Sequence, residues 1–123
     1  MRVLVADGHA RVRERLVALV AEIPGVHAVL EADSEARAIA HIVERCPEII
    51  VLDLRIAESG TLALVARLRR DWPSATVVAL TSEPSRGLRR ACAELGVDHV
   101  FDKSKDLPSL QEVIEGAAES LLR

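Results

Sequence analysis

Residues 49–54 read IIVLDL, an apolar run too short for a helix and rich in β-branched side chains, the pattern of a strand buried on both faces of a parallel sheet. Asp53 interrupts it. A carboxylate inside such a strand costs several kcal/mol unless it meets water, a cation or hydrogen-bond donors, so the strand is expected to leave the sheet at that point. In open α/β sheets the carboxyl edge of the strands is where ligands bind. An Asp that only caps the following loop is the plainer alternative, and the other strands decide between the two.

The chain has 123 residues, enough for one domain, and half of them are hydrophobic, enough for a core that buries about two thirds of the chain's surface. The domain is read as residues 1–123. A net charge of -3 argues against a nucleic-acid surface, which carries a basic excess. Cys46 and Cys92 fall in helical patterns with neither CxxC spacing nor histidine partners, and read as small buried or half-buried residues of a reduced, cytoplasmic protein. No apolar run approaches the ~18 residues of a membrane span, and the first strand opens directly after Met1 without the pattern of a signal peptide.

Working outward, residues 2–6 (RVLVA) form a first strand ending at Asp7, Gly8 and His9, and Val12, Leu16, Leu19, Val20 and Ile23 recur at helical spacing until Pro24 and Gly25. Residues 26–32 supply a second strand. Asp33 or Ser34 caps a second helix carrying Ala36, Ile39, Ala40 and Val43 inward, closed by Cys46 and Pro47. After the strand of IIVLDL and a loop, a third helix from about Gly60 turns Leu62, Val65 and Leu68 inward and stops at Asp71, Trp72 and Pro73. Residues 76–80 make the fourth strand, with Thr81 and Ser82 at its carboxyl end. Pro84 suits the first turn of a fourth helix and Gly96 its left-handed terminus. Residues 97–101 make the fifth strand, with Lys103 just past it. The last helix, capped by Ser109 or started by Pro108, carries Leu110, Val113, Ile114, Ala117 and Leu121.

Five alternations of strand and helix without a long linker predict a five-stranded, doubly wound parallel sheet covered on both faces, an α/β protein in three layers. Asp7, Asp53, Thr81 and Lys103 each end a strand and are expected to converge on one edge. Two carboxylates at ~4 Å repel by about 4 kcal/mol at an effective dielectric near 20, which favours a bound cation or the ammonium of Lys103 between them. Oxygen ligands with several retained waters suit Mg²⁺.

Four stretches, VLVADGHARVRERL at 3–16, IIVLDLRIAESG at 49–60, VVALTS at 77–82 and LGVDHVFDKS at 95–104, together resemble the receiver domains of bacterial two-component response regulators over the whole chain. That resemblance implies the flavodoxin-like, CheY-like fold and a stand-alone, non-enzymatic receiver. It implies that Asp53 accepts a phosphoryl group from a sensor histidine kinase or phosphotransfer protein, and that Asp7, Asp53 and the backbone carbonyl of Arg55 place Mg²⁺. It also implies that Thr81 hydrogen-bonds the phosphoryl oxygen and that Lys103 pairs with it. Such a receiver passes its signal to a downstream protein by contact, through the first helix or through the fourth helix, fifth strand and fifth helix, with a homodimer as one admissible assembly. Direct contact with nucleic acid or membrane is not expected.

The chain departs from the family pattern at several positions. Gly8 stands where receivers carry a second acidic metal ligand, so weaker Mg²⁺ binding is expected. Glu58 and Glu83 are the nearby carboxylates and read as solvated loop residues. Arg55 and Glu83, two residues past Asp53 and Thr81, are expected to border the site and pair with each other, modulating hydrolysis of the phosphoryl group. Val100 replaces the aromatic residue three positions before the lysine; Phe101, one residue off, faces the opposite side of the strand and reads as core. Ala57 replaces the common loop proline. His9, His27, His41 and His99 show no metal-ligand spacing. The alternative within the family is a degenerate receiver that binds partners without phosphorylation. An aspartate-nucleophile phosphatase would want a second Asp where Arg55 stands, and the first turn, ADGHAR, lacks the glycine spacing of a dinucleotide-binding fold.

Overall fold

Strict alternation of core faces along short β-branched segments builds the centre of the molecule. The computed structural model describes residues 1–122; Arg123, the last residue of the expected domain, lies outside them. Five parallel strands, β1 Arg2–Ala6, β2 Ala28–Ala32, β3 Ile49–Asp53, β4 Thr76–Thr81 and β5 His99–Asp102, stand in the order β2-β1-β3-β4-β5. The helices are α1 Ala10–Ala21, α2 Glu35–Arg45, α3 Thr61–Asp71, α4 Arg86–Glu94 and α5 Leu107–Leu121. The chain order reverses between β1 and β3, which opens a crevice at their carboxyl ends.

The sheet divides the core in two. Val3, Val5, Ile49, Val51, Val78 and Leu80 pack under α1 and α5, against Leu16, Val20, Leu110 and Ile114. Leu4, Ala6, Ile50, Leu52, Val77 and Ala79 face α2, α3 and α4, against Ile42, Leu64, Leu68 and Cys92. Each fully buried Leu or Ile contributes about 1.5–3 kcal/mol, so the β3 side chains, buried on both faces, are the densest source of stability. The register pairs Ala6 with Leu52 and Asp53 with Leu80, which brings the ends of β1, β3 and β4 level.

Several expected details shift. In α2 the core takes Ala38 and Ile42, while Ala36 and Ala40 are exposed and Val43 is 60% exposed. In α3 Leu64 replaces Leu62, which is 49% exposed. In α5 Leu110, Ile114 and Ala118 are buried and Leu121 faces outward; the helix starts at Leu107 after Asp106, with neither Ser109 as cap nor Pro108 at its first position. Ser34 caps α2 through its side chain and Ser85 caps α4, leaving Pro84 one position ahead of that cap. IIVLDL gives up Leu54 to a short 3₁₀ turn, Leu54–Ile56, for which the Asp53 side chain serves as cap. β2 and β5 each begin two residues later than expected, and β5 runs on through Asp102. Cys46, read as buried or half-buried, is exposed at the end of α2 in a left-handed conformation, φ 47°.

Val100 and Phe101 take opposite faces: Val100 joins the α2–α4 core and Phe101 packs toward α1 and α5, its ring stacked on His99 at 5.4 Å. No helix among the described residues is long and apolar enough to cross a membrane.

Burial pushes the Cys92 thiol above its ordinary pKa, whereas Cys46 is open to solvent. Titration of the native protein with a thiol reagent near pH 8 is therefore expected to modify Cys46 promptly and Cys92 only on unfolding. Rapid modification of both would show that α4 does not seal that side of the core.

Candidate functional site

Asp7, Asp53 and Lys103 meet at the carboxyl edge of the sheet. Asp7 follows β1 directly and Asp53 ends β3, the neighbouring strand, so parallel pairing alone sets the two carboxylates side by side. Both are buried, Asp7 fully and Asp53 at 2% exposed. Lys103, in the turn after β5, reaches across the end of β4 and places Nζ 2.7 Å from Asp53 Oδ2 and 2.7 Å from Asp7 Oδ2. Toward Asp53 this is a charge-assisted hydrogen bond. Toward Asp7 it is a charge contact without hydrogen-bond alignment, which leaves Asp7 Oδ2 without a donor.

Local backbone geometry fixes the carboxylates. Asp7 Oδ1 accepts from His9 N at 2.8 Å, and Asp53 Oδ1 accepts from Arg55 N at 3.1 Å. The Asp7 backbone is tied on both sides: its N–H donates to Ala32 O at 2.9 Å, and its carbonyl accepts from Arg13 Nη1 at 2.9 Å. Lys103 is placed by its turn. Its N–H donates to Thr81 O at 3.0 Å, while Asp102 Oδ1 accepts from the Ser104 hydroxyl at 2.7 Å and from the backbone N–H of Ser104 and Lys105. These donors, the Ser104 hydroxyl first, hold the Asp102 carboxyl below the ordinary range. Its contribution to the turn is present above the unfolded-chain pKa and is lost as pH falls through the lower, folded one.

The remaining expected residues stand around this cluster. Thr81 closes β4 one position past the partner of Asp53, and its Oγ1 accepts from Glu83 N at 3.2 Å. Arg55 does not pair with Glu83: its Nε lies 3.7 Å from Asp53 Oδ2, and among the described residues Glu83 forms no ion pair. The stronger field of a buried carboxylate two residues away outweighs that of an exposed glutamate on the next loop. Glu58 is an exposed residue of the β3–α3 loop. A cavity of ≈ 300 Å³ opens over Asp53, lined also by Gly8, His9, Arg55 and Ile56.

His9 and Arg13 belong to this site although sequence reasoning did not place them there. His9 caps α1 through its side chain and lines the cavity, and Arg13 holds the Asp7 carbonyl. A signal existed for Arg13: α1 carries Arg11 and Arg13 in its opening turns with no acidic residue in the first, against the helix dipole.

The donor set suits a hard divalent cation. Asp7 Oδ2 is buried without a hydrogen-bond donor, and the Arg55 carbonyl is uncommitted because the N–H groups of Glu58 and Ser59 go to Ile56 O and Glu35 Oε1. With an Asp53 oxygen these make three oxygen donors, which suits Mg²⁺ with several waters retained. No cluster of three acidic, His or Cys side chains able to hold a metal exists among the described residues.

Known proteins share this fold. The family model for the response regulator receiver domain matches residues 3–115. The sensory transduction protein LytT of Enterococcus faecalis is 34% identical over 121 residues, 98% of this chain and 49% of that protein. Response regulator GacA of Pseudomonas viridiflava is 33% identical over 81 residues, 66% of this chain and 38% of that protein. The chain thus spans less than half the length of these relatives. Among solved structures, a LuxR-family two-component response regulator from Aurantimonas sp. SI85-9A1 superposes with a TM-score of 0.85 at 26% identity, covering 97% of this chain and 85% of that one. A CheY-like receiver domain protein from Methanospirillum hungatei JF-1 shares the fold, with a TM-score of 0.83 at 17% identity over 97% of this chain and 94% of that one.

A side chain fits at Gly8: its φ is not positive, and an added Cβ would meet only Asp33 O at 3.6 Å and Ile56 Cγ2 at 3.8 Å, ordinary contact distances. Gly8→Asp is expected to fold and to raise Mg²⁺ affinity about tenfold or more, since each added carboxylate beside a divalent ion contributes at least about 2 kcal/mol. Calorimetric titration with Mg²⁺ checks this; equal affinity in both proteins would show that the cation does not sit beside residue 8.

Proposed function

This chain belongs to the response regulator receiver domain family, and from that premise we propose that it accepts a phosphoryl group on Asp53 from a histidine kinase or phosphotransfer protein, with Mg²⁺, and signals by contact with a downstream protein. The observation that carries this reading is the single ammonium of Lys103 held 2.7 Å from both Asp7 and Asp53 at the end of the sheet.

An Asp53 carboxylate oxygen forms the new bond to phosphorus as the phosphorus–nitrogen bond of a phosphohistidine breaks, and the electron pair returns to the imidazole. The acceptor needs no proton removed, because it is already an anion. What it needs is fixed positive charge around the transferring oxygens, in line with the departing nitrogen. Lys103 Nζ supplies one such charge, and Asp7 with the Arg55 carbonyl would hold Mg²⁺, which when bound neutralises charge on the phosphoryl oxygens. Asp53 Oδ1 stays oriented by Arg55 N.

Thr81 is the residue suited to read the event. Its hydroxyl proton is free to turn toward a phosphoryl oxygen while its Oγ1 lone pair leaves Glu83 N, which would draw the segment leading to α4. Thr81 O also holds the Lys103 backbone, so the two phosphoryl contacts are joined by one hydrogen bond. Arg55, close to Asp53, is placed to modulate hydrolysis. The output surface is α1 or the face formed by α4, β5 and α5, and a phosphoryl group shifts its affinity by shifting a pre-existing equilibrium. We read the domain as a cytoplasmic signalling unit and not as an enzyme. Protein-glutamate methylesterase/protein-glutamine glutaminase 2 of Pseudomonas syringae pv. tomato, 27% identical over 118 residues, is matched over only 33% of its length.

One observation favours a second reading, a degenerate receiver that binds its partner without phosphorylation: the site has two acidic side chains, Asp7 and Asp53, and Lys103 already contacts both.

Intact mass after incubation with acetyl phosphate and Mg²⁺ decides between them. The expected result is one phosphate adduct in the wild type and none in Asp53→Asn. No adduct, together with no Mg²⁺-dependent change in amide shifts on adding beryllofluoride, would establish the phosphorylation-independent module instead.

A further inference from the structure

A second cavity, of ≈ 270 Å³, lies beside the acidic cluster, between α1, the end of β4 and the start of α5. Its floor is apolar, formed by Leu16, Leu80 and Leu107. Its charged lining is entirely positive, from Arg15, Arg55 and Lys103. Lys103 is committed to the two carboxylates, but Arg15 forms no ion pair among the described residues and Arg55 has only the long contact to Asp53. The Ser82 side chain, also on the wall, makes no hydrogen bond to a described residue. Phosphoryl acceptance on Asp53 uses Lys103 and Arg55 but leaves Arg15, Ser82 and the apolar floor unexplained.

One cation without a partner and a second with only a long contact, above an apolar floor, match a ligand with an anionic head and an apolar body. Guanidinium forks bind phosphate oxygens two at a time, and the volume sits at the small end of ligand cavities. We infer that this cavity binds a compact organic phosphate, its head on Arg15 and Arg55 and its apolar body over Leu16, Leu80 and Leu107. Arg55 also lines the cavity over Asp53, so an occupied site draws that side chain away from the acceptor. The ligand thereby slows phosphoryl uptake. This last consequence rests on the function proposed above; binding itself does not.

The test is an amide-shift titration with phenylphosphonate, whose phosphorus–carbon bond prevents phosphoryl transfer, set against methylphosphonate and benzyl alcohol. Saturable shifts at Leu16, Ser82 and Leu107 are expected, with methylphosphonate and benzyl alcohol each about tenfold weaker or worse. Arg15 is exposed on α1, so Arg15→Ala folds, and it is expected to weaken phenylphosphonate about tenfold by removing a charge-assisted pair. Equal binding of methylphosphonate, unchanged affinity in Arg15→Ala, or shifts confined to other surfaces would overturn the inference. Saturating phenylphosphonate is further expected to slow adduct formation from acetyl phosphate severalfold. An unchanged rate would overturn the coupling through Arg55, whereas a protein that binds phenylphosphonate yet takes up no phosphate without it would refute the acceptor role alone.

Discussion

Two buried carboxylates held by one ammonium are the interaction on which this molecule's edge depends. Left unpaired, Asp7 and Asp53 would face each other with several kcal/mol of desolvation cost each. The paired arrangement requires β1 and β3 to be neighbours, β4 to stop level with β3, and the turn after β5 to return over β4. The strand order supplies the first, the register the second, and the Asp102 turn with the Lys103 to Thr81 backbone bond the third. The apolar faces of the sheet then serve as a rigid mount, since both sides of β3 are buried and its end has no freedom to drift.

The same interaction shapes the functional reading. With Gly8 in place of a carboxylate, the acidic charge at the edge is two, and Lys103 with Arg55 nearby already offsets it. Arg55 lines both the cavity over Asp53 and the cavity between α1 and the start of α5.

Much of this was legible in the sequence for a simple reason. In a parallel sheet every strand ends on the same edge, so an Asp, a Thr or a Lys just past an apolar run is placed by topology before any side chain is built; Asp7, Asp53, Thr81 and Lys103 were found in that way. The face of α2 was misread because EARAIAHIVER carries apolar residues at nearly every phase, so Ala36, Ala40 and Val43 fit a helical period as well as Ala38 and Ile42 do. Only the neighbouring sheet selects between them. Arg55 pairing with Asp53, Arg13 holding the Asp7 carbonyl, and Arg89 on α4 donating to Val100 O at 2.6 Å depend on long side chains choosing among partners, which spacing does not encode. Arg89 also lies 4.0 Å from Asp106, and so links α4 to the strand and helix beside it.

The most direct test of the account is the stability of Lys103→Met, measured by urea unfolding in the presence of EDTA, alone and combined with Asp7→Asn. Removing the ammonium while keeping the length of the side chain leaves two buried carboxylates uncompensated, and a loss of about 3–5 kcal/mol is expected, part of it recovered when Asp7 loses its charge. A single variant within about 0.5 kcal/mol of wild type, or no recovery in the double variant, would contradict the claim that this lysine holds the acidic pair.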